Sequence, residues 1–242
     1  MLLTALLGLS LAGQPSVPSL SGKKIAVLGF GLDKSIVMRD QERDQGPGIV
    51  QKAEDYYRAH QAATDTLYAH FLKKFPELFA GANVLPMDSV PTLPGYRIAA
   101  ECKAKKVFGR EIFGCNDLNP KGGMYSLSLG QAQEKVSPFA ASIGLDYYLI
   151  FVNRASYRMS VGGGANGVVA GAGKMDLETT VYLLPVKGKD VAWSRSYKEE
   201  SVTSKPMLND IFSEDNYILI GEAFDGMAPK IRKDLEKGLA TP

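Results

Sequence analysis

The chain has 242 residues, of which 45% are hydrophobic and 22% charged, with 25 Gly, 13 Pro and 2 Cys. This balance excludes collagen-like, disordered and disulfide-scaffold classes, and the length favours a single domain with an appendage at most. Lys and Arg total 28 against 26 Asp and Glu, and a formal charge of +2 gives no electrostatic footprint for nucleic acid or an anionic membrane.

No side chain in residues 1–22 is charged, and Leu2 to Ala12 is almost wholly apolar. A span would need about 20 such residues, but the run suits the hydrophobic region of a secretory signal, and Ser10-Leu11-Ala12 places small residues where a signal peptidase reads them. Residues 1–12 are therefore expected to be a signal peptide and 13–22 a flexible leader. The positive residue that usually precedes such a region is absent, which leaves a start further upstream or a buried N-terminal segment as alternatives. Leu11-Ala12-Gly13 resembles the start of a bacterial lipobox, yet Gln14 stands where the acylated Cys belongs, which argues against a lipid anchor.

Lys24 to Phe30 is a short apolar run punctuated by Gly29 and Gly31, the pattern of a buried strand. Residues 32–52 are mostly polar and read as a loop. From Ala53 to Phe75, Tyr56, Ala63, Leu67, Phe71 and Phe75 follow helical spacing, and Pro76 is expected to stop that helix. Asn83 to Pro86 predicts a short second strand, after which Pro86, Pro91 and Pro94 argue against regular structure until Tyr96. The stretch from about 99 to 125 reads as an insertion.

A second helical stripe runs through Leu129, Ala132, Val136, Phe139, Ala140 and Ile143, with Gly144 as its C-terminal cap. Pro138 should kink it or restart it with Ser137 as N-cap. Asp146 to Val152 is apolar on both faces, as in the middle of a covered sheet. It continues to about Val161 and meets Gly162, Gly163, Gly164, Ala165, Asn166 and Gly167, where Asn166-Gly167 supplies a hairpin turn. Val168 to Pro185 is again strand-like, and a further hairpin turns at Lys187-Gly188-Lys189-Asp190 into Val191 to Val202. Ile220, Phe224, Met227, Ile231 and Leu235 form a last helical stripe, with Pro229 expected to bend it and Gly238 to stop it. The order predicts an α+β sandwich of two or three layers over residues 23–242, with a mixed sheet, a C-terminal β-meander and packed helices.

The residue sets that carry catalysis are incomplete. Gly29-x-Gly31 follows a strand, but Lys34 takes the place of the third glycine that a pyrophosphate-binding turn needs. Gly162-x-Gly164-x-x-Gly167 matches that pattern formally and is followed by a strand instead of a helix. Gly173-Lys174 lacks the first glycine and the hydroxyl of a P-loop, and Lys34-Ser35 lacks the preceding glycine. His60 and His70 would lie about 15 Å apart along one helix and about 80° apart around it, too far for one metal. No Gly-x-Ser-x-Gly is present, and Glu54-Asp55 and Glu199-Glu200 read as solvated faces. Lys103, Lys105, Lys106 and Arg110 form a basic cluster whose default reading is also a solvated face. Cys102 and Cys115, separated by 12 residues, are a candidate disulfide worth roughly 3 kcal/mol in an oxidising compartment and free thiols in a reducing one.

Lys23-Lys24-Ile25-Ala26-Val27-Leu28-Gly29-Phe30 resembles the first strand of the bacterial envelope proteins grouped around CsgG, LpoB and the TolB N-terminal domain. Ala140 to Ile150 is similar to their helix-to-strand step, and Val181 to Ser194 to their late hairpin. The resemblance implies a periplasmic or secreted, non-catalytic domain that works through protein contacts in secretion or envelope assembly. No functional residue carries over, because the shared positions are core and turn positions.

These features lead to an exported accessory or scaffold protein that needs no cofactor and binds envelope proteins or further copies of itself, and not nucleic acid. Membrane contact is left without support from a span or a lipobox. The Gly-rich tip at Gly162, Gly163, Gly164, Asn166 and Gly167 is the candidate partner-contact hairpin. A pore- or ring-forming secretion subunit and an enzyme with a site assembled from dispersed residues are the alternatives.

Overall fold

The computed structural model describes residues 17–32, 49–86, 89–96, 105–107, 110–113, 129–165, 168–188, 190–208 and 214–239. The elements, in chain order, are β1 (Ile25–Leu32), α1 (Ile49–Leu78), β2 (Lys105–Val107), β3 (Arg110–Phe113), α2 (Leu129–Ser142), β4 (Tyr147–Ala165), β5 (Val168–Pro185), β6 (Trp193–Glu200), β7 (Lys205–Leu208) and α3 (Glu214–Leu239). The main sheet has the order β1-β4-β5-β6, with β7 beside β6 on the same edge of β5. β1 and β4 are parallel and the other pairs antiparallel, so the fold is α+β with a mixed sheet whose last strands form a meander.

Both faces of the sheet are covered near β1, which is why every residue of β1 is buried and why its sequence is continuously apolar. On one face Leu67 and Phe71 of α1 and Phe224, Met227 and Ile231 of α3 pack against Val27, Phe30, Phe151 and Val181. On the other, Val136, Phe139 and Ala140 of α2 meet Leu28, Tyr148, Ile150 and Leu184. The result is a three-layer sandwich. A bulge between Val27 and Gly29 shifts the β1 register, so Ile25 and Val27 before it and Phe30 and Leu32 after it all face α1 and α3. Without that extra residue, period-2 alternation would turn Phe30 and Leu32 to the opposite face.

Several expectations are corrected. Helix α1 continues through Pro76 to Leu78 instead of stopping before it, and α2 runs through Pro138 without a restart there; α3 likewise contains Pro229. All three prolines are exposed, so each ring sits on a helix face where it meets no core side chain. Ser137 is not an N-cap, because it lies inside α2, and its hydroxyl shares a hydrogen bond with Tyr148 Oη at 3.0 Å. The expected second strand at 83–86 is a single parallel bridge between Val84 and Ile25, and Pro86, with no N–H, cannot extend it. The polar loop read as reaching residue 52 gives way to α1 at Ile49.

Gly238 lies inside α3, where it seats Val17 and Pro18 instead of ending the helix. Val17 and Leu20, placed by the sequence in a flexible leader, are buried in the core. The insertion contains an antiparallel hairpin, β2–β3; Cys102, Cys115 and Lys103 lie outside the described residues. Gly144 (φ 71°) and Gly188 (φ 125°) take the left-handed conformation that the expected cap and turn require.

Candidate functional site

β1 accompanies β4 only from Tyr147 to Asn153, whereas β4 and β5 stay paired out to Ala165 and Val168. At about 3.3 Å per residue, the stretch from Arg154 to Ala165 makes an arm of about 40 Å beyond the end of β1. From Met159 to Gly173 the arm carries no charged side chain, and Arg158 and Lys174 flank it. The register slips by one residue between Ser160 and Gly163, so Gly162, Gly163 and Gly164 belong to a bulged strand and not to a loop. Ala165 opposes Val168, which leaves Asn166-Gly167 as the connection; those two residues lie outside the described residues.

The root of the arm is tied down by polar side chains. Asn153 Nδ2 donates to the Gly31 carbonyl at 2.8 Å, and Thr179 Oγ1 donates to Asn153 Oδ1 at 2.6 Å, a buried bridge across β1, β4 and β5 where β1 ends. At the opposite edge, Ser201, between β6 and β7, is tied to β5: its N–H donates to the Met175 carbonyl at 2.8 Å and its Oγ accepts from Met175 N–H at 3.1 Å. Thr203 then donates from its N–H at 3.0 Å and from Oγ1 at 2.6 Å to the Glu222 carboxylate of α3. On the face away from α1 and α3, β5 and β6 carry a cross-strand ladder of Lys198–Glu178 (3.3 Å), Thr180–Ser196 (2.7 Å) and Lys174–Glu200 (2.6 Å).

The other clusters of ionisable groups are ties between elements. Asp146 accepts from the Lys24 N–H at 2.9 Å and from Lys23 Nζ at 3.3 Å; the backbone bond first, then Lys23, holds its carboxyl below the usual range. Asp234 joins α3 to β6 through Arg195 (2.8 Å) and Tyr197 Oη (3.0 Å), and takes Lys237 on its other oxygen (2.7 Å). Burial alone would raise the Asp234 carboxyl, but the hydrogen bonds from Lys237 and Tyr197 and the charge of Arg195 leave it lowered. Burial and then the charge of Asp234 drive the Tyr197 phenol well above its ordinary value. His70 Nδ1 lies 3.1 Å from Asp225 Oδ2, which joins α1 to α3.

The near-motifs have structural roles. A Cβ at Gly29 would lie 3.0 Å from Ile150 Cγ2, and the Gly31 carbonyl serves Asn153. Lys174 and Glu200 pair with one another, and Glu199 pairs with Lys230. His60 and His70 share α1, and the Asp225 partner of His70 has no local sequence signal, being 155 residues away. Lys105, Lys106 and Arg110 fall on the β2–β3 hairpin. Among the described residues no group of three or more His, Cys, Asp or Glu could hold a metal ion, and no helix is long and apolar enough to cross a membrane.

No family model and no curated protein matches the chain. Among solved structures, a point variant of the PelC dodecamer from Paraburkholderia phytofirmans aligns with a TM-score of 0.24 at 15% identity, covering 88% of this chain and 93% of that one. A second PelC dodecamer structure from the same organism aligns at 0.25 and 12%, covering 95% and 96%. A neuraminyllactose-binding hemagglutinin homolog from Helicobacter pylori aligns at 0.35 and 6%, covering 93% and 94%. At scores this low the likeness assigns neither fold nor function.

Proposed function

We propose that this chain is an exported, non-catalytic accessory protein of the bacterial envelope, and that the β4–β5 arm makes its protein contacts. The observation that carries the reading is the arm itself: a braced pair of strands running past the end of β1, uncharged from Met159 to Gly173. A braced, uncharged hairpin offers main-chain groups and small side chains to a partner at low ordering cost, which suits recognition. The signal-like run from Leu2 to Ala12 supports export, and the resemblance of residues 23–30, 140–150 and 181–194 to the CsgG, LpoB and TolB group supports the compartment.

The test is purification from native envelopes of the wild-type chain and of Val169→Lys, which places a charge in the arm. Capture of a defined envelope protein by the wild type, lost in the variant while its circular dichroism is unchanged, is the expected result. Recovery with cytosolic proteins alone overturns the reading. The arm also favours a second reading, a ring or pore subunit, and a large homo-oligomer in native mass spectrometry would establish that one instead.

A further inference from the structure

Val17 and Leu20 are 8% and 4% exposed and belong to the core shared by α1, α3 and the sheet. Their seat is the C-terminal end of α3. Leu20 N–H donates to the Gly238 carbonyl at 2.6 Å, and a Cβ on Gly238 would lie 2.5 Å from Val17 Cγ1 and 2.7 Å from the Pro18 carbonyl oxygen. The seat therefore requires a glycine for close packing.

Each side of this contact is fixed independently of the other. The seat is tied to β6 by Asp234 through Arg195 and Tyr197. The chain leading into β1 is tied to Asp146 by Lys23 and Lys24. Between them stands Gly22 at φ 68°, in a turn closed by Lys23 N–H to the Leu20 carbonyl at 3.0 Å. Residues 17–20 are thus a short strap held by two apolar side chains and one backbone bond to α3. Segments with so few buried contacts open locally well before the body that they cover.

We infer that Val17 to Leu20 form a detachable strap, hinged at Gly22, that opens from Gly238 while α3 and the sheet stay folded and bares a glycine-floored slot beside Leu235. Amide hydrogen exchange on the full chain tests this with the Leu20 N–H as reporter. In the wild type, Leu20 exchanges by a local opening with little denaturant dependence, whereas Leu149 and Phe151 in β4 exchange with the steep dependence of global unfolding. In Gly238→Ala, Leu20 loses at least about tenfold of its protection while the two β4 amides keep theirs. Loss of Leu20 protection only together with β4 in the wild type, or unchanged Leu20 protection in a folded Gly238→Ala, overturns the inference. Should Gly238→Ala fail to fold, the wild-type denaturant series decides alone.

Discussion

Asn153 is fully buried, and its amide satisfies both the Gly31 carbonyl and the Thr179 hydroxyl. Replacing Thr179 with Val keeps the shape and leaves Asn153 Oδ1 buried without its donor, a loss of about 1–3 kcal/mol; urea unfolding measures it, and an unchanged midpoint with an unchanged slope would contradict the bridge. Two carboxylates contribute to the loss of stability in acid. Asp146 and Asp234 are both held below the ordinary 3.8, so their stabilisation is present above that value and disappears as pH falls through their lower folded values. The urea midpoint should therefore drop steeply below about pH 4, and Asp146→Asn should lower the neutral-pH midpoint while flattening that acid limb. A variant with the wild-type acid profile would show that the Lys23 and Lys24 contacts contribute nothing. These partners were beyond reach of the sequence, because Asp146 meets Lys24 across 122 positions and Asn153 meets Gly31 across the same separation.

At the level of elements, the sequence exposes the strongest periodicities and conceals the irregularities. The apolar runs at β1 and β4 and the stripes of α1, α2 and α3 are visible because burial on one or both faces imposes them. The β1 bulge is invisible for the same reason: where every position is apolar, a phase shift leaves no mark. Pro76 misleads because a local rule counts the lost N–H and not the packing of Leu78 and Phe79 that carries the helix past it. Pro138 is exposed in the interior of α2, so Pro138→Ala restores a backbone donor and removes a ring clash. It should stabilise the fold by up to about 3 kcal/mol, seen as a higher thermal midpoint; a lower one would mean that α2 depends on the distortion. The packed strap was equally concealed, since Gln14 to Ser21 is rich in Pro and Ser and, among its described residues, the core takes Val17 and Leu20.

The whole molecule divides its labour by layer. Near β1 the sheet is sealed by α1 and α3 on one side and α2 on the other. Further along, the second face changes to Thr180, Ser196, Glu178 and Lys198, whose pairs satisfy one another and so present little unmatched charge to a partner. The charges on this face of β5 and β6 are thus matched in pairs, and the arm is uncharged from Met159 to Gly173. The Gly-rich segment of the arm is visible in the sequence as Gly162 to Gly167. That the glycines continue a strand is not, because glycine disfavours strands unless a neighbour pairs with them, here Val169 and Ala170 opposite Gly164 and Gly163.

The central claim is that this arm is the contact surface, and site-specific photo-crosslinking in intact cells tests it most directly. With a photo-reactive phenylalanine at Ala165, the account predicts one dominant adduct to a defined envelope protein or to a second copy, absent when the same residue replaces exposed Ser194 on β6. Equal labelling from both positions, or adducts to cytosolic proteins only, would contradict it.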